Sequence, residues 1–203
     1  MAVSHPTKGV LIRIEVHVDM LCPWCYIAKR SLDAAIKVFQ TSHPEFEFEE
    51  AQPNNFQAVQ DRIRSAAARY NISLSFTGRT GPSRDSHKLI ALALQQRDPA
   101  AQARTVDRLF RGHFEEGRDL TDGDWLVEVG VEAAGLDAAD VRRALASHEA
   151  GISVDDEVRS ASVERGVRAV PCVTMQGRYR VGGYQDQSVF EDLFDKIRTN
   201  GGN

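Results

Sequence analysis

The chain has little cysteine, no long apolar run and no strong excess of one charge, and each shortage closes off a class of protein. Three cysteines in 203 residues are too few for the disulfide framework of a small secreted domain, so their arrangement has to be read for chemistry. No stretch approaches the roughly 18 uninterrupted apolar residues of a membrane span, since the apolar segment beginning at Val10 is broken by Arg13, Glu15 and His17. Met1 to Lys8 is polar and contains Pro6, unlike the apolar centre of a secretory leader, so a cytoplasmic location is expected. A net charge of −4 and a pI near 5.9 give no reason to expect nucleic acid or a membrane surface as a partner. With 42% hydrophobic and 27% charged residues and no low-complexity tract, the composition is that of a globular protein able to build one core with a large insertion.

Periodicity divides the chain into an α/β core interrupted by helices. Val10, Ile12, Ile14, Val16 and Val18 alternate with polar residues and predict a strand. Ile27, Leu32, Ala35, Ile36 and Phe39 fall at helical spacing and predict a helix from the cysteine pair to about Gln40. Phe46 and Phe48, alternating within Glu45 to Glu50, predict a second strand. The middle is helical in pattern: Phe56, Val59, Ile63, Ala67 and Tyr70; Leu89 to Leu94; Val106, Leu109, Phe110 and Phe114. Further helices are expected over Gly123–Ala134 before Gly135, over Ala138–Ala146 behind an Asp137 cap, and from about Val154 to Arg165 before Gly166. The tail predicts a strand over Ala169–Met175, a turn at Gln176-Gly177, a partner strand with Tyr179 and Val181 ending at Gly182-Gly183, and an amphipathic helix over Gln187–Arg198. The expected organisation is β-α-β from 10–55 and β-β-α from 166–200 as the core, a helical insertion over 56–165, and flexible ends at 1–9 and 199–203.

The first strand carries Cys22-Pro23-Trp24-Cys25 just beyond its carboxyl end, where open α/β sheets place their sites. A thiol attacks a disulfide only as thiolate. At a helix start, unpaired N–H groups and the helix dipole both favour the anion, and attack also requires that sulfur to be accessible. The dipole supplies at most ~2 kcal/mol, so hydrogen bonds to sulfur must provide the rest of a deep shift. Cys25, three residues on, shares the helix face and can displace a group captured by Cys22. Pro23 suits the first turn, where a missing N–H costs nothing. Trp24 either offers an apolar surface beside the sulfurs or packs on the insertion.

Other readings of the cysteines are weaker. Structural zinc needs four ligands, and beyond this pair there are Cys172 and six scattered histidines with no second Cys-x-x-Cys or paired-His motif, so no metal is expected. Inert core cysteines fit a helix start poorly. Val170-Pro171 opens an apolar segment where proline removes a ladder donor; it is either a strand-initial trans proline or a cis bond at a specialised turn.

The run Asp19-Met20-Leu21-Cys22-Pro23-Trp24-Cys25-Tyr26-Ile27-Ala28-Lys29-Arg30 resembles the active-site stretch of the FrnE-like branch of the DsbA family. So do Leu109-Phe110-Arg111-Gly112-His113-Phe114-Glu115-Glu116-Gly117-Arg118-Asp119-Leu120, Gly166-Val167-Arg168-Ala169-Val170-Pro171 and Val181-Gly182-Gly183-Tyr184-Gln185. The resemblance spans about Val10 to Ile197. It implies a thioredoxin-like fold with a large α-helical insertion, Cys22 as nucleophile, Cys25 as resolving thiol and Pro171 as a cis-proline beside them. It also implies that the Val170 backbone pairs with bound substrate. Pro23, Trp24, Val170 and Pro171 are thus candidate substrate contacts. His87, in Ser86-His87-Lys88-Leu89, matches an Ala-His-Arg-Leu-like run and is either a cleft residue or a solvated helix histidine. Two positions depart from the family: Cys172 after Pro171, a third thiol or a small buried hydrophobe, and Tyr184, where a Gly-Ala-Gln run is more usual.

The expected function is thiol–disulfide exchange on a protein or small-molecule thiol or disulfide, with no obligatory cofactor and glutathione as an optional co-substrate. The competing reading is a glutathione- or thiol-dependent isomerase or transferase acting on a small metabolite, as in related hydroxychromene-carboxylate isomerases and kappa-type glutathione transferases. Those relatives typically carry serine at the nucleophile position, which the dithiol here opposes. A fold-retaining binding module is the third option. Neither the redox direction nor the choice of monomer or homodimer is readable from sequence.

Overall fold

The computed structural model describes residues 10–49, 60–75, 78–79 and 81–200. Strand β1 (Val10–His17) is followed by helix α1 (Pro23–Ser42) and strand β2 (Phe46–Glu49), which returns parallel to β1. The alternation of β1 is real: Ile12, Ile14, Val16 and the following Val18 are buried on one side. At the far end of the chain, β3 (Cys172–Met175) runs antiparallel to β1 and β4 (Tyr179–Gly182) antiparallel to β3, giving the order β2-β1-β3-β4. The β3–β4 turn places both Gln176 (φ 52°) and Gly177 (φ 64°) in the left-handed region, as tight hairpin connections require. Helix α8 (Gln187–Thr199) packs on α1, where Phe194 meets Phe39 edge-on at 5.4 Å.

Between the two halves lie α2 (Gln60–Ala68), α3 (Arg84–Gln96), α4 (Pro99–Phe114), α5 (Gly123–Ala134), α6 (Ala138–Ala146) and α7 (His148–Val163). Their starts follow side-chain capping. Asp98 accepts the Ala101 N–H at 2.6 Å with Pro99 as the first helical residue, and Asp137 accepts from Ala139 and Asp140 at 2.8 and 3.2 Å, each satisfying otherwise orphaned donors. Gly135 (φ 66°) closes α5. Helices α3 to α7 pack on one another. The insertion is fastened to α1 by Tyr26, which stacks on Phe110 of α4 at 5.2 Å and whose hydroxyl donates to the Glu115 carboxylate.

Several boundaries differ from expectation. Helix α7 begins at His148 instead of near Val154 and ends at Val163; Ser147 caps it by accepting the Ala150 N–H at 3.1 Å, while Gly151 and Ser153 mute the helical pattern that sequence reading relies on. The β3 ladder begins at Cys172 instead of Ala169, because Pro171 has no N–H to contribute. Helix α8 ends at Thr199, one residue beyond the expected Arg198. Phe56, Val59, the 55/56 boundary, and residues 1–9 and 201–203 lie outside the described residues.

Candidate active site

The end of β1 delivers the cysteine pair through a short turn built by Asp19. Its Oδ1 accepts the Leu21 N–H at 3.0 Å and its carbonyl accepts the Cys22 N–H at 3.1 Å, a local side-chain turn of the kind aspartate favours. Cys22 then sits at the N-cap of α1 in extended conformation (φ −100°, ψ 108°), followed by Pro23 at the first helical position. Its carbonyl accepts from Cys25 N–H at 2.9 Å and Tyr26 N–H at 3.3 Å. The helix thus starts at the nucleophile candidate itself, with Cys25 one turn along.

The two cysteines are one helical turn apart, close enough for each sulfur to influence the other. Burial, and then the neighbouring Cys22 sulfur, push the Cys25 thiol well above the ordinary thiol range, while a bond from the Asp19 backbone pulls the other way. Sequence reasoning expects an accessible sulfur at position 22; the structure corrects that, since Cys22 and Cys25 are both 0% exposed. Trp24, Val170 and Tyr184 pack against the apolar cluster that contains both sulfurs.

Cys172 lies opposite His17 in the β1–β3 register, so Pro171 is brought alongside Val18, just before the Asp19 turn. The Val170–Pro171 peptide bond is cis. Strand alternation turns Cys172 away from Val173 and into a separate small cluster with Ala161 and Val167, where burial raises its pKa. Trp24 is half-buried and stacks on Tyr184 with ring centroids 5.4 Å apart. Tyr184 in turn donates to Asp186 at 2.7 Å, and Asp186 is held by Arg69 at 2.5 Å. Tyr184 thus sets a second aromatic ring against Trp24 at the start of α1.

His87 of α3 reaches the active-site turn: its Nε2 is 3.7 Å from Asp19 Oδ1, an ion-pair distance too long for a tight hydrogen bond. Burial raises the Asp19 carboxyl, but His87, the Leu21 N–H and Ser83 together outweigh it and hold the group below the usual carboxylate range. Sequence reasoning passed over Asp19 and Ser83. Asp19 could have been found as an aspartate two residues before an N–H that needs a partner; Ser83 carries no such local signal. Among the described residues no three His, Cys, Asp or Glu side chains form a group able to hold a metal, and no helix is long and apolar enough to cross a membrane.

Asp19, His87 and Val170 also border a cavity of about 830 Å³ that runs between α3, α4 and α7. That volume lies in the range of small-molecule sites.

Comparison with known proteins agrees with this architecture. The family described as DSBA-like thioredoxin domain matches residues 13–195. A probable DsbA oxidoreductase from Streptomyces coelicolor superposes with a TM-score of 0.73 at 25% identity, covering 93% of this chain and 90% of that one. A 2-hydroxychromene-2-carboxylate isomerase gives 0.72 at 19% identity, with 93% and 97% coverage. The cytosolic disulfide reductase DsbM from Pseudomonas aeruginosa, solved with GSH, gives 0.65 at 18% identity, with 92% and 99% coverage.

Proposed function

The chain belongs to the DSBA-like thioredoxin domain family, and on that footing we propose that it is a dithiol–disulfide oxidoreductase working through Cys22 and Cys25. The observation that carries the reading is the placement of Cys22 at the N-cap of α1 with Cys25 one helical turn along. The positive end of the helix favours the Cys22 thiolate. The raised Cys25 thiol keeps its proton until it is needed.

In the proposed cycle, the Cys22 thiolate attacks a substrate disulfide R–S–S–R′ and expels R′–S⁻, leaving a mixed disulfide. Cys25 loses its proton and attacks the Cys22 sulfur, which forms the internal disulfide and releases R–S⁻. The substrate gains the two electrons that the dithiol loses, and the reverse sequence oxidises a dithiol. Val170 offers its backbone beside the pair, Pro171 lies alongside the end of β1, and Pro23 and Trp24 complete the rim. Because both sulfurs are covered, attack waits on a local opening of the site. His87 supports the turn through Asp19.

Glutathione is the proposed small thiol partner, a role in keeping with the GSH with which the Pseudomonas aeruginosa DsbM was solved. The cavity beside Val170 favours a second reading, single-thiol chemistry on a small metabolite in a cytoplasmic FrnE-like protein. Cys25→Ser separates the two. Dithiol exchange predicts that this variant loses turnover and accumulates mixed disulfides on Cys22, detectable by mass; turnover of a metabolite that survives the substitution would favour the second reading.

A further inference from the structure

Disulfide exchange at Cys22 uses Asp19 and Val170 but leaves the rest of the 830 Å³ cavity without a role. Its walls are largely apolar, with Val18, Ile90, Leu94, Val106, Val158 and Val167 among them. Leu94 is 43% exposed and Val158 64%, so apolar surface faces the opening with nothing packed on it. A ligand covering such side chains gains the transfer free energy they have not yet realised.

The charged residues of the lining show which ligand would fit. Arg84 is held by Asp155, Nε to Oδ1 at 3.0 Å. Lys29 lies 2.6 Å from Asp33, and Asp19 faces His87. Glu15 and Glu157 share Arg165 at 3.1 and 2.6 Å, with His17 beside Glu15 at 2.5 Å. Arg168 is left: exposed on the same wall, it makes no hydrogen bond or ion pair among the described residues. A guanidinium matches a carboxylate with two parallel bonds. The two glutamates that share one arginine set an upper limit, because a second negative charge on the ligand would meet them.

We propose that this cavity binds a small organic monoanion, an apolar body carrying one carboxylate, with Arg168 as its counter-charge at the mouth. The inner end at Asp19 and Val170 brings such a molecule against the strip of backbone that leads to the dithiol, so an occupied cavity and an extended substrate would compete for Val170.

Titration calorimetry of the whole chain with decanoate tests this without using the thiols, so its outcome is separate from that of the exchange reading. Decanoate should saturate one site per chain. Arg168→Gln should weaken it three- to tenfold, the range of one partly exposed charge-assisted contact, and leave binding of neutral 1-decanol unchanged. Ala91→Trp, at an exposed position lining the cavity, should abolish both in protein whose circular dichroism is unaltered. Val158→Glu, at a more exposed wall position, should weaken decanoate selectively if the tryptophan variant fails to fold. Absence of saturable decanoate binding, unchanged decanoate affinity in Arg168→Gln, or an equal loss of 1-decanol affinity in that same variant would overturn the proposal.

Discussion

At Cys25 the proton is held by burial first and by the neighbouring sulfur second, and this has a direct chemical signature. In a Cys22→Ser background, Cys25 should resist iodoacetamide through neutral and mildly alkaline pH. Its alkylation should become half-maximal only above the ordinary thiol value of about 8.5. Asp19 is shifted the other way. A carboxyl held low in the folded state contributes stability that is present above its unfolded pKa of about 3.9 and is lost as pH falls through the folded value. Asp19→Ala removes that contribution together with the acceptor for Leu21 N–H. Urea unfolding at pH 7 should register a loss of about 1–3 kcal/mol, and the variant should lose less stability than the parent between pH 5 and 2. Tyr184→Ala should cost about 1 kcal/mol of stacking and shift tryptophan emission to the red. The shift would come from Trp24, because Trp125 is 1% exposed and stays enclosed.

Among elements, the contact of α4 with α1 and α5 decides whether the insertion holds the active-site helix in place. Gly112 of α4 is the tight point: a Cβ there would overlap Trp125 Cζ2. Alanine normally improves a helix interior by up to about 1 kcal/mol over glycine, so a gain from Gly112→Ala would show that the close approach is absent. The geometry predicts the opposite, a loss of about 1–3 kcal/mol from overpacking, read as a lower thermal midpoint. The same logic explains which elements the sequence revealed. Helix α5 carries a local stop signal in Gly135 and α6 a local start signal in Asp137, and their boundaries are those the pattern predicts. Helix α7 shares Ser147 with the end of α6 and runs through Gly151, whose position is occupied on its outer side by the Arg84 guanidinium. Its start is set by the Ser147 cap, but Gly151 and Ser153 interrupt the apolar pattern of its first turns, so periodicity alone puts the start too late.

Across the whole molecule, the α/β core was legible because strand alternation is a local property of the chain, while its thioredoxin-like character came from the resemblance carried by the cysteine motif. The site was legible only in part. The sequence located the cysteine pair at a helix start, but the covering of Cys22, the Trp24–Tyr184 stack and the approach of His87 to Asp19 each join segments far apart in the chain. No local pattern encodes such meetings. The cavity is likewise a product of how α3, α4 and α7 meet the end of β1, and none of those segments announces it alone.

Everything proposed for the dithiol requires Cys22 to ionise more readily than an ordinary thiol despite its burial, and the midpoint of a pH profile, unlike the absolute rate, tests this directly. In Cys25→Ser, the rate of Cys22 alkylation by iodoacetamide should reach half its maximum below the ordinary thiol value of about 8.5. A midpoint at or above about pH 8.5 would mean that Cys22 has no such preference and would overturn its role as the attacking thiolate.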